Sequence, residues 1–115
     1  MKVGEILKRL DLSAATGETG LDREAETGYC GDLLSDVMAN SKKGGLWLTI
    51  QSHQNIVAVA VLRELAAIIL VNGRVPEEET KTKAQGEGIP ILLSPLPSYE
   101  LAGRLYEIGI GRTPG

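Results

Sequence analysis

The most constraining feature of the sequence is a strand-helix-strand pattern over residues 45–70. Two aliphatic runs, residues 46–50 and 67–71, flank a polar turn and a further apolar segment, residues 55–65. The alternating valines of that segment would also suit a strand. A helix is favoured because two parallel strands need a crossover of about a dozen residues between them. The sequence therefore predicts a parallel sheet with at least one crossover helix.

Further helices and strands are predicted before and after this unit in the chain. Apolar residues at helical spacing predict helices over residues 3–10, over 32–40 and between Pro97 and Gly109, with a polar second crossover helix in residues 76–88. Short strands are predicted over residues 13–16, 29–30 and 89–93. We expect an α/β fold: one domain of three layers, α/β/α, with a mostly parallel sheet, spanning residues 1–110 and followed by a flexible tail, 111–115.

Residues at the ends of the predicted helices suggest specific caps. Asp32 is a candidate N-cap for the helix over residues 32–40, and Ser52 or Asn55 for the first crossover helix. Pro76 suits the first position of the second crossover helix, which glycines 86 and 88 would end.

Composition excludes several classes of protein. The formal net charge of −3 and the pI near 5.2 argue against nucleic-acid or anionic-membrane partners, which are bound through Lys and Arg. Cys30 is the only cysteine, so no intrachain disulfide forms and a small buried thiol is the simplest interpretation. No segment reaches the roughly 20 apolar residues of a membrane helix, and residues 1–12 lack a signal-peptide core. We expect a cytoplasmic protein.

No residue constellation specifies a reaction. His53 is the only histidine, so neither a zinc site nor a Cys30–His53 nucleophile pair has support from spacing. The phosphate-binding pattern G-x-x-x-x-G-K-[ST] is absent from the sequence. We therefore expect no catalytic residue, no metal and no cofactor.

Polar side chains follow each of the three predicted aliphatic strands. They are Ser52, His53, Asn55, Asn72, Arg74 and Ser94. Because the carboxyl ends of parallel strands share one edge, where helix N-termini direct N–H groups outward, we expect a site there for a nucleotide or another small anion. The alternative is that the serines and Asn55 only cap helices and that Arg74 is solvated.

Three stretches together resemble the DRTGG domain over almost the whole chain: LDREAETGYCGDLLSDVMAN, GGLWLTIQSHQNIVAVAVL and GIPILLSPLPSYELAGRLYEIGI. This domain is similar to the N-terminal domain of HPr kinase/phosphorylase and occurs in some phosphotransacetylases and in pyrophosphatases with CBS domains. The resemblance implies an α/β fold, dimerisation and a regulatory or ligand-sensing role. Kinase activity is not implied, because in HPr kinase it belongs to the other domain.

The naming motif falls on a short loop of this sequence. Its matching positions are Asp22, Arg23, Gly28, Tyr29 and Asp32. Glu26 and Thr27 stand where the motif has Thr and its first Gly. Asp22 and Arg23 would form a structural ion pair or contact a partner subunit.

The sequence thus favours a free-standing, non-catalytic regulatory module that acts as a homodimer. The apolar faces of residues 3–10 and 101–108 are each available for dimerisation or for packing within one subunit. The alternative function is a scaffold subunit that binds an enzyme partner and no small ligand.

Overall fold

The structure is a computed structural model, and it describes residues 1–112. Its helices are α1 Val3–Arg9, α2 Leu34–Asn40, α3 Asn55–Leu62, α4 Glu78–Glu87 and α5 Ser98–Glu107. Its strands are β1 Ser13–Ala14, β2 Thr27–Cys30, β3 Gly45–Thr49, β4 Ala67–Leu70 and β5 Ile91–Leu93. The last three residues of the predicted tail, 113–115, lie outside the described residues.

The strands form one five-stranded sheet in the order β1-β5-β4-β3-β2. Strands β2, β3, β4 and β5 are parallel, and only β1 runs antiparallel, at the edge beside β5. The predicted parallel sheet and crossover helix α3 are confirmed. The strand over residues 29–30 is longer than predicted and forms the other edge, whereas the strand over residues 13–16 has only two residues.

Helices cover both faces of the sheet, which confirms the three-layer architecture. One apolar cluster joins α1 and α5 to the face that carries Leu46 and Leu48, and the other joins α2, α3 and α4 to the face that carries Trp47 and Ile68. All side chains of β3 and β4 are buried. Burial on both faces is the reason that these strands read as continuous aliphatic runs rather than alternating ones.

The predicted N-cap role of Asp32 is wrong. Leu33 precedes α2 and makes no side-chain cap. The Asp32 carboxylate instead accepts hydrogen bonds from the Thr49 hydroxyl at 2.8 Å and the Ile50 N–H at 3.0 Å. Because β2 and β3 are parallel, the turn that follows β2 lies beside the end of β3, where N–H groups lack strand partners.

The predicted N-terminal residues of both crossover helices are also wrong, whereas the predicted end of the second at Gly88 is confirmed. Neither Ser52 nor Asn55 caps α3; the His53 Nδ1 accepts the Asn55 N–H at 3.2 Å. Helix α4 begins at Glu78 rather than at Pro76, and of the two glycines only Gly88, with φ of 72°, ends it. The Glu77 N–H, just before α4, donates to the Ser52 carbonyl in the turn after β3.

The two apolar faces that the sequence offered for dimerisation pack within the subunit. Val3 and Ile6 of α1, and Leu101 and Leu105 of α5, belong to the same buried cluster, and none is more than 3% exposed. Of the two uses left open by the sequence, packing within the subunit is the one observed. Among the described residues, no helix is long and apolar enough to cross a membrane.

Candidate functional site

The carboxyl ends of β2, β3, β4 and β5 meet at one edge of the sheet, as parallel pairing requires. This edge, called here the carboxyl edge, carries all six strand-end residues singled out from the sequence. Ser52, His53 and Asn55 follow β3, Asn72 and Arg74 follow β4, and Ser94 follows β5. The topology thus brings together three turns that are distant in the chain.

Two of the six residues, Ser94 and Asn72, form hydrogen bonds that hold the turns together. Ser94 is 2% exposed, and its Oγ accepts the Leu96 N–H at 3.1 Å while its carbonyl accepts the Gly73 N–H at 3.0 Å. Asn72 has a φ of 58° and donates its N–H to the Leu96 carbonyl at 2.9 Å. These bonds join the turn after β4 to the turn after β5 at the carboxyl edge.

Ser52 fixes the start of α4 through its backbone. Its carbonyl accepts the Thr80 hydroxyl at 2.8 Å and the Glu77 N–H at 3.2 Å. Thr80 is fully buried and Ser52 half-buried, so the donor side of this contact is shielded from water. The contact joins the turn after β3 to the second crossover helix, and it leaves the half-buried Ser52 hydroxyl at the carboxyl edge.

His53, Asn55, Asn72 and Arg74 are the exposed residues of this edge. Because the His53 Nδ1 accepts a backbone N–H, the neutral ring carries its proton on Nε2, which is a donor for a ligand. Arg74 supplies a guanidinium, but glutamates 77, 78 and 79 follow it at the start of α4. The edge therefore suits a ligand with few negative charges better than a polyanion.

The structure separates the motif positions: Asp32 lies at the carboxyl edge, beside the end of β3, and Gly28 and Tyr29 lie within β2. Asp22 and Arg23 form the motif loop at the opposite edge, where β3, β4 and β5 begin. Arg23 does not pair with Asp22: its side chain donates to the Leu65 carbonyl at 2.7 Å and to the Ala66 carbonyl at 3.2 Å. Its own carbonyl accepts the Val3 N–H at 2.9 Å. The arginine of the motif therefore holds α1 and the entry to β4 together.

A cleft of about 680 Å³ opens beside this loop. Its lining includes side chains of both charges: Arg23, Glu24, Glu26, Lys43, Glu64 and Glu87. Lys43 lies 3.8 Å from Glu64, and Arg23 is already used on carbonyls, so the acidic groups predominate. The cleft was not predicted, although the motif loop and the Lys42-Lys43 pair were visible in the sequence.

A second groove, of about 230 Å³, lies between β2 and α5. No charged side chain lines it; its walls are Thr27, Gly28, Tyr29, Cys30, Leu48, Ala102, Leu105, Tyr106, Ile110 and Gly111. This groove was also not predicted, because no residue in 27–30 identifies the strand as an edge strand.

Two residues of β2, Tyr29 and Cys30, have raised pKa values. The Tyr29 hydroxyl donates to Asp36, and this bond to a carboxylate raises the pKa of Tyr29 above its usual 10.0. Partial burial of the thiol and the nearby Asp32 raise the pKa of Cys30. Cys30 lies at the surface rather than in the core, so the buried-thiol expectation is wrong.

Residues 1–112 contain no group of three His, Cys, Asp or Glu side chains placed to hold a metal ion. Every buried side-chain nitrogen or oxygen in that range has a hydrogen-bond partner. The polar groups that remain available to a ligand are therefore those of the exposed edges and the clefts.

Comparison with solved structures identifies the class of fold. The chain superposes, with a TM-score of 0.70 and 16% sequence identity, on a crystal structure of the CBS and DRTGG domains of the regulatory region of Clostridium perfringens pyrophosphatase, complexed with its activator diadenosine tetraphosphate. The match covers 96% of this chain and 47% of that chain. The resemblance to the DRTGG domain is thus confirmed at the level of the fold.

Sequence comparisons add no closer relationship. A scan against protein-family models finds no match, and a search of curated proteins finds none. The likeness to the pyrophosphatase regulatory region is one of three-dimensional structure, and this chain spans about half the length of the chain that it matches.

Proposed function

We propose that this chain is a non-catalytic, ligand-sensing regulatory module that works as a homodimer in the cytoplasm. One observation carries the proposal: nearly the whole chain shares its fold with part of a pyrophosphatase regulatory region that was crystallised with a nucleotide activator. The exposed thiol of Cys30 is consistent with a reducing compartment.

The carboxyl edge is the proposed ligand site. Arg74 and the His53 Nε2 provide donors for a phosphate or carboxylate, and Ser52, Asn55 and Asn72 supply further hydrogen-bonding groups at the same edge. Ser94 contributes by holding the turns in place rather than by direct contact. Since three glutamates follow Arg74, we expect a nucleoside monophosphate or a small anion to bind better than a nucleoside triphosphate.

Thermal unfolding with added ligands tests this site. We would compare AMP, ATP, diadenosine tetraphosphate, acetyl phosphate and inorganic phosphate. A ligand present at a hundredfold its Kd stabilises the folded state by about 2.7 kcal/mol, which is a shift of several degrees for a domain of this size. The double variant Ser52→Ala/His53→Ala and the single variant Arg74→Ala should remove the shift while leaving the unliganded midpoint nearly unchanged.

Lys43→Ala is the matched control for Arg74→Ala. It removes one positive charge from the edge where the motif loop lies, at a similarly exposed position. A ligand shift that is lost in Lys43→Ala and kept in Arg74→Ala would move the site to the 680 Å³ cleft. Release of phosphate from ATP or acetyl phosphate by the purified chain would contradict the non-catalytic assignment.

A scaffold that binds an enzyme partner is the alternative, and the surface offers one observation in its favour. Within residues 1–112, six large apolar side chains are exposed, with Tyr99 85%, Leu62 69%, Leu33 68%, Val75 63%, Tyr106 59% and Val61 40% accessible. Isolated exposed apolar residues are common, so the choice depends on the ligand test. The absence of a shift with all five compounds would favour the scaffold.

A further inference from the structure

The turn after β2 is hydrogen-bonded to the segment that leads from β3 into the proposed ligand site. The Asp32 Oδ1 accepts the Thr49 hydroxyl and the Ile50 N–H. The Thr49 hydroxyl in turn accepts the Gln51 N–H at 3.2 Å. The Gln51 Nε2 donates to the Asp32 carbonyl at 2.9 Å. These bonds hold Asp32 and Gln51 next to each other at the carboxyl edge.

The side-chain amide of Gln51 has a defined orientation. A carbonyl oxygen can only accept a hydrogen bond, so the Gln51 Nε2 faces the Asp32 carbonyl and its Oε1 remains as an acceptor. Within residues 1–112, this Oε1 has no hydrogen-bond partner, and Gln51 is only half-buried. Since no buried side-chain oxygen in that range lacks a partner, the Gln51 Oε1 is accessible to a ligand.

Asp32 supplies a second acceptor beside the first. Both hydrogen bonds that its carboxylate accepts go to Oδ1, so Oδ2 is without a partner in the part of the chain that the structure describes. Asp32 is also exposed. The turns after β2 and β3 thus present two neighbouring acceptors, whereas Arg74 and the His53 Nε2 of the same edge are donors.

Acceptors and donors follow neighbouring strands. Strands β2, β3 and β4 are adjacent in the sheet, and adjacent strands lie about 4.8 Å apart. The turn that carries Asp32 and the turn that carries Arg74 are therefore about 10 Å apart, with His53 between them. A ligand that uses the whole edge needs an anionic group at Arg74 and hydrogen-bond donors at Asp32 and Gln51. Inorganic phosphate is too small to reach both ends.

We propose that Asp32 and Gln51 form a hydroxyl-binding pair, which recognises the ribose of a nucleoside monophosphate whose phosphate lies at Arg74. This inference rests on the ligand site proposed above and names the class of its ligand. Two adjacent acceptors suit the two adjacent hydroxyls of a ribose, each of which donates one bond. In dinucleotide-binding α/β folds, an Asp or Glu side chain binds a ribose hydroxyl in the same way.

Calorimetric titration with AMP and with its 2′,3′-dideoxy analogue tests the pair, because the two compounds differ only in the ribose hydroxyls. For the unmodified chain, we expect AMP to bind about tenfold more tightly or better, since each hydrogen bond contributes about three- to tenfold. In Gln51→Met, this ratio of affinities should fall by about three- to tenfold, because one acceptor is lost. Gln85→Met is the control: it changes an exposed glutamine near the end of α4, away from the carboxyl edge, and should keep the ratio of the unmodified chain.

The comparison of the two compounds on the unmodified chain needs no variant. Equal affinities would overturn the hydroxyl-binding pair, and so would an unchanged ratio in a folded Gln51→Met. Both results leave the ligand site itself standing, because both compounds then bind and Arg74→Ala should still weaken the two equally. If neither compound binds the unmodified chain, the ligand site and the hydroxyl-binding pair are overturned together.

Discussion

Arg23 shows how one side chain in a surface loop secures a core strand. Its guanidinium spans 42 and 43 residues of sequence to reach the carbonyls of Leu65 and Ala66, both buried. These carbonyls stand just before β4 and are held by the arginine. The arginine of the motif therefore has a structural role in this chain.

Replacing Arg23 should destabilise the protein. Arg23→Met keeps the aliphatic stem but removes both bonds, and buried acceptors left unpaired cost about 1–3 kcal/mol each, so we expect a loss of about 2–4 kcal/mol. Arg9→Met is the control, because Arg9 forms an exposed pair with Glu5 that contributes about 0.3–0.5 kcal/mol. Urea denaturation measures both; equal effects would mean that the carbonyl contacts contribute nothing.

The Tyr29–Asp36 bond predicts a pH dependence. The pKa of Tyr29 is raised in the folded state, so the bond stabilises the fold below pH 10 and this contribution is lost as pH rises through the folded-state pKa. Asp36→Asn should lower the pKa of Tyr29 toward 10. Ultraviolet titration measures it, with Tyr29→Phe as the spectral reference and Glu100→Gln as the control; an unchanged pKa in Asp36→Asn would contradict the assignment.

At the scale of elements, α4 shows how a polar helix can be an integral part of the fold. Only Thr80 and Ala84 of its ten residues are buried. Thr80 anchors the helix to the Ser52 carbonyl, in the turn that carries the proposed ligand site. Helix α4 is thus positioned by a hydrogen bond and small side chains rather than by a broad apolar face.

Two threonines on α4 form a matched pair for testing this anchor. Thr80→Val removes the hydroxyl donor of the Ser52 carbonyl, which keeps the Glu77 N–H, and should cost about 0.5–1.5 kcal/mol. Thr82→Val removes a hydroxyl that bonds only the Glu78 carbonyl within the exposed helix, and should cost less than about 0.5 kcal/mol. Thermal denaturation compares the two. Equal costs would show that the Thr80–Ser52 bond does not position α4.

At the scale of the whole molecule, one sheet joins two apolar clusters that have no residue in common. Leu48 belongs to the cluster on the α1 and α5 face, and Ile68 to the cluster on the other face. Since every sheet strand from β3 to β5 contributes to both, neither cluster can form without the sheet. The two faces should unfold together.

Core truncations on the two faces test this cooperativity. Leu48→Ala and Ile68→Ala should each cost about 2–5 kcal/mol. Each should lower the midpoint of one transition that Trp47 fluorescence and far-ultraviolet circular dichroism report identically at a fixed protein concentration. Separate midpoints for the two probes in either variant would mean that the faces unfold independently.

The sequence alone was sufficient for the architecture. The aliphatic runs of β3, β4 and β5, and a crossover segment too long for a hairpin turn, define the parallel strands, because burial on both faces demands continuous apolar residues. The length of the crossover, rather than its periodicity, located α3, and Gly88 marked the end of α4. The gathering of six polar residues at the carboxyl edge follows from the same topology.

Only the tertiary structure decided how the polar residues are used. Asp32 and Ser52 were predicted as caps, and Arg23 as a partner of Asp22 or of another subunit, yet each bonds to a segment of this chain at least 17 residues away. The edge position of β2 and both clefts likewise depend on which strands end up side by side. Periodicity records what is buried along one element, whereas hydrogen-bond partners and edges are set by distances between elements, which no local pattern encodes.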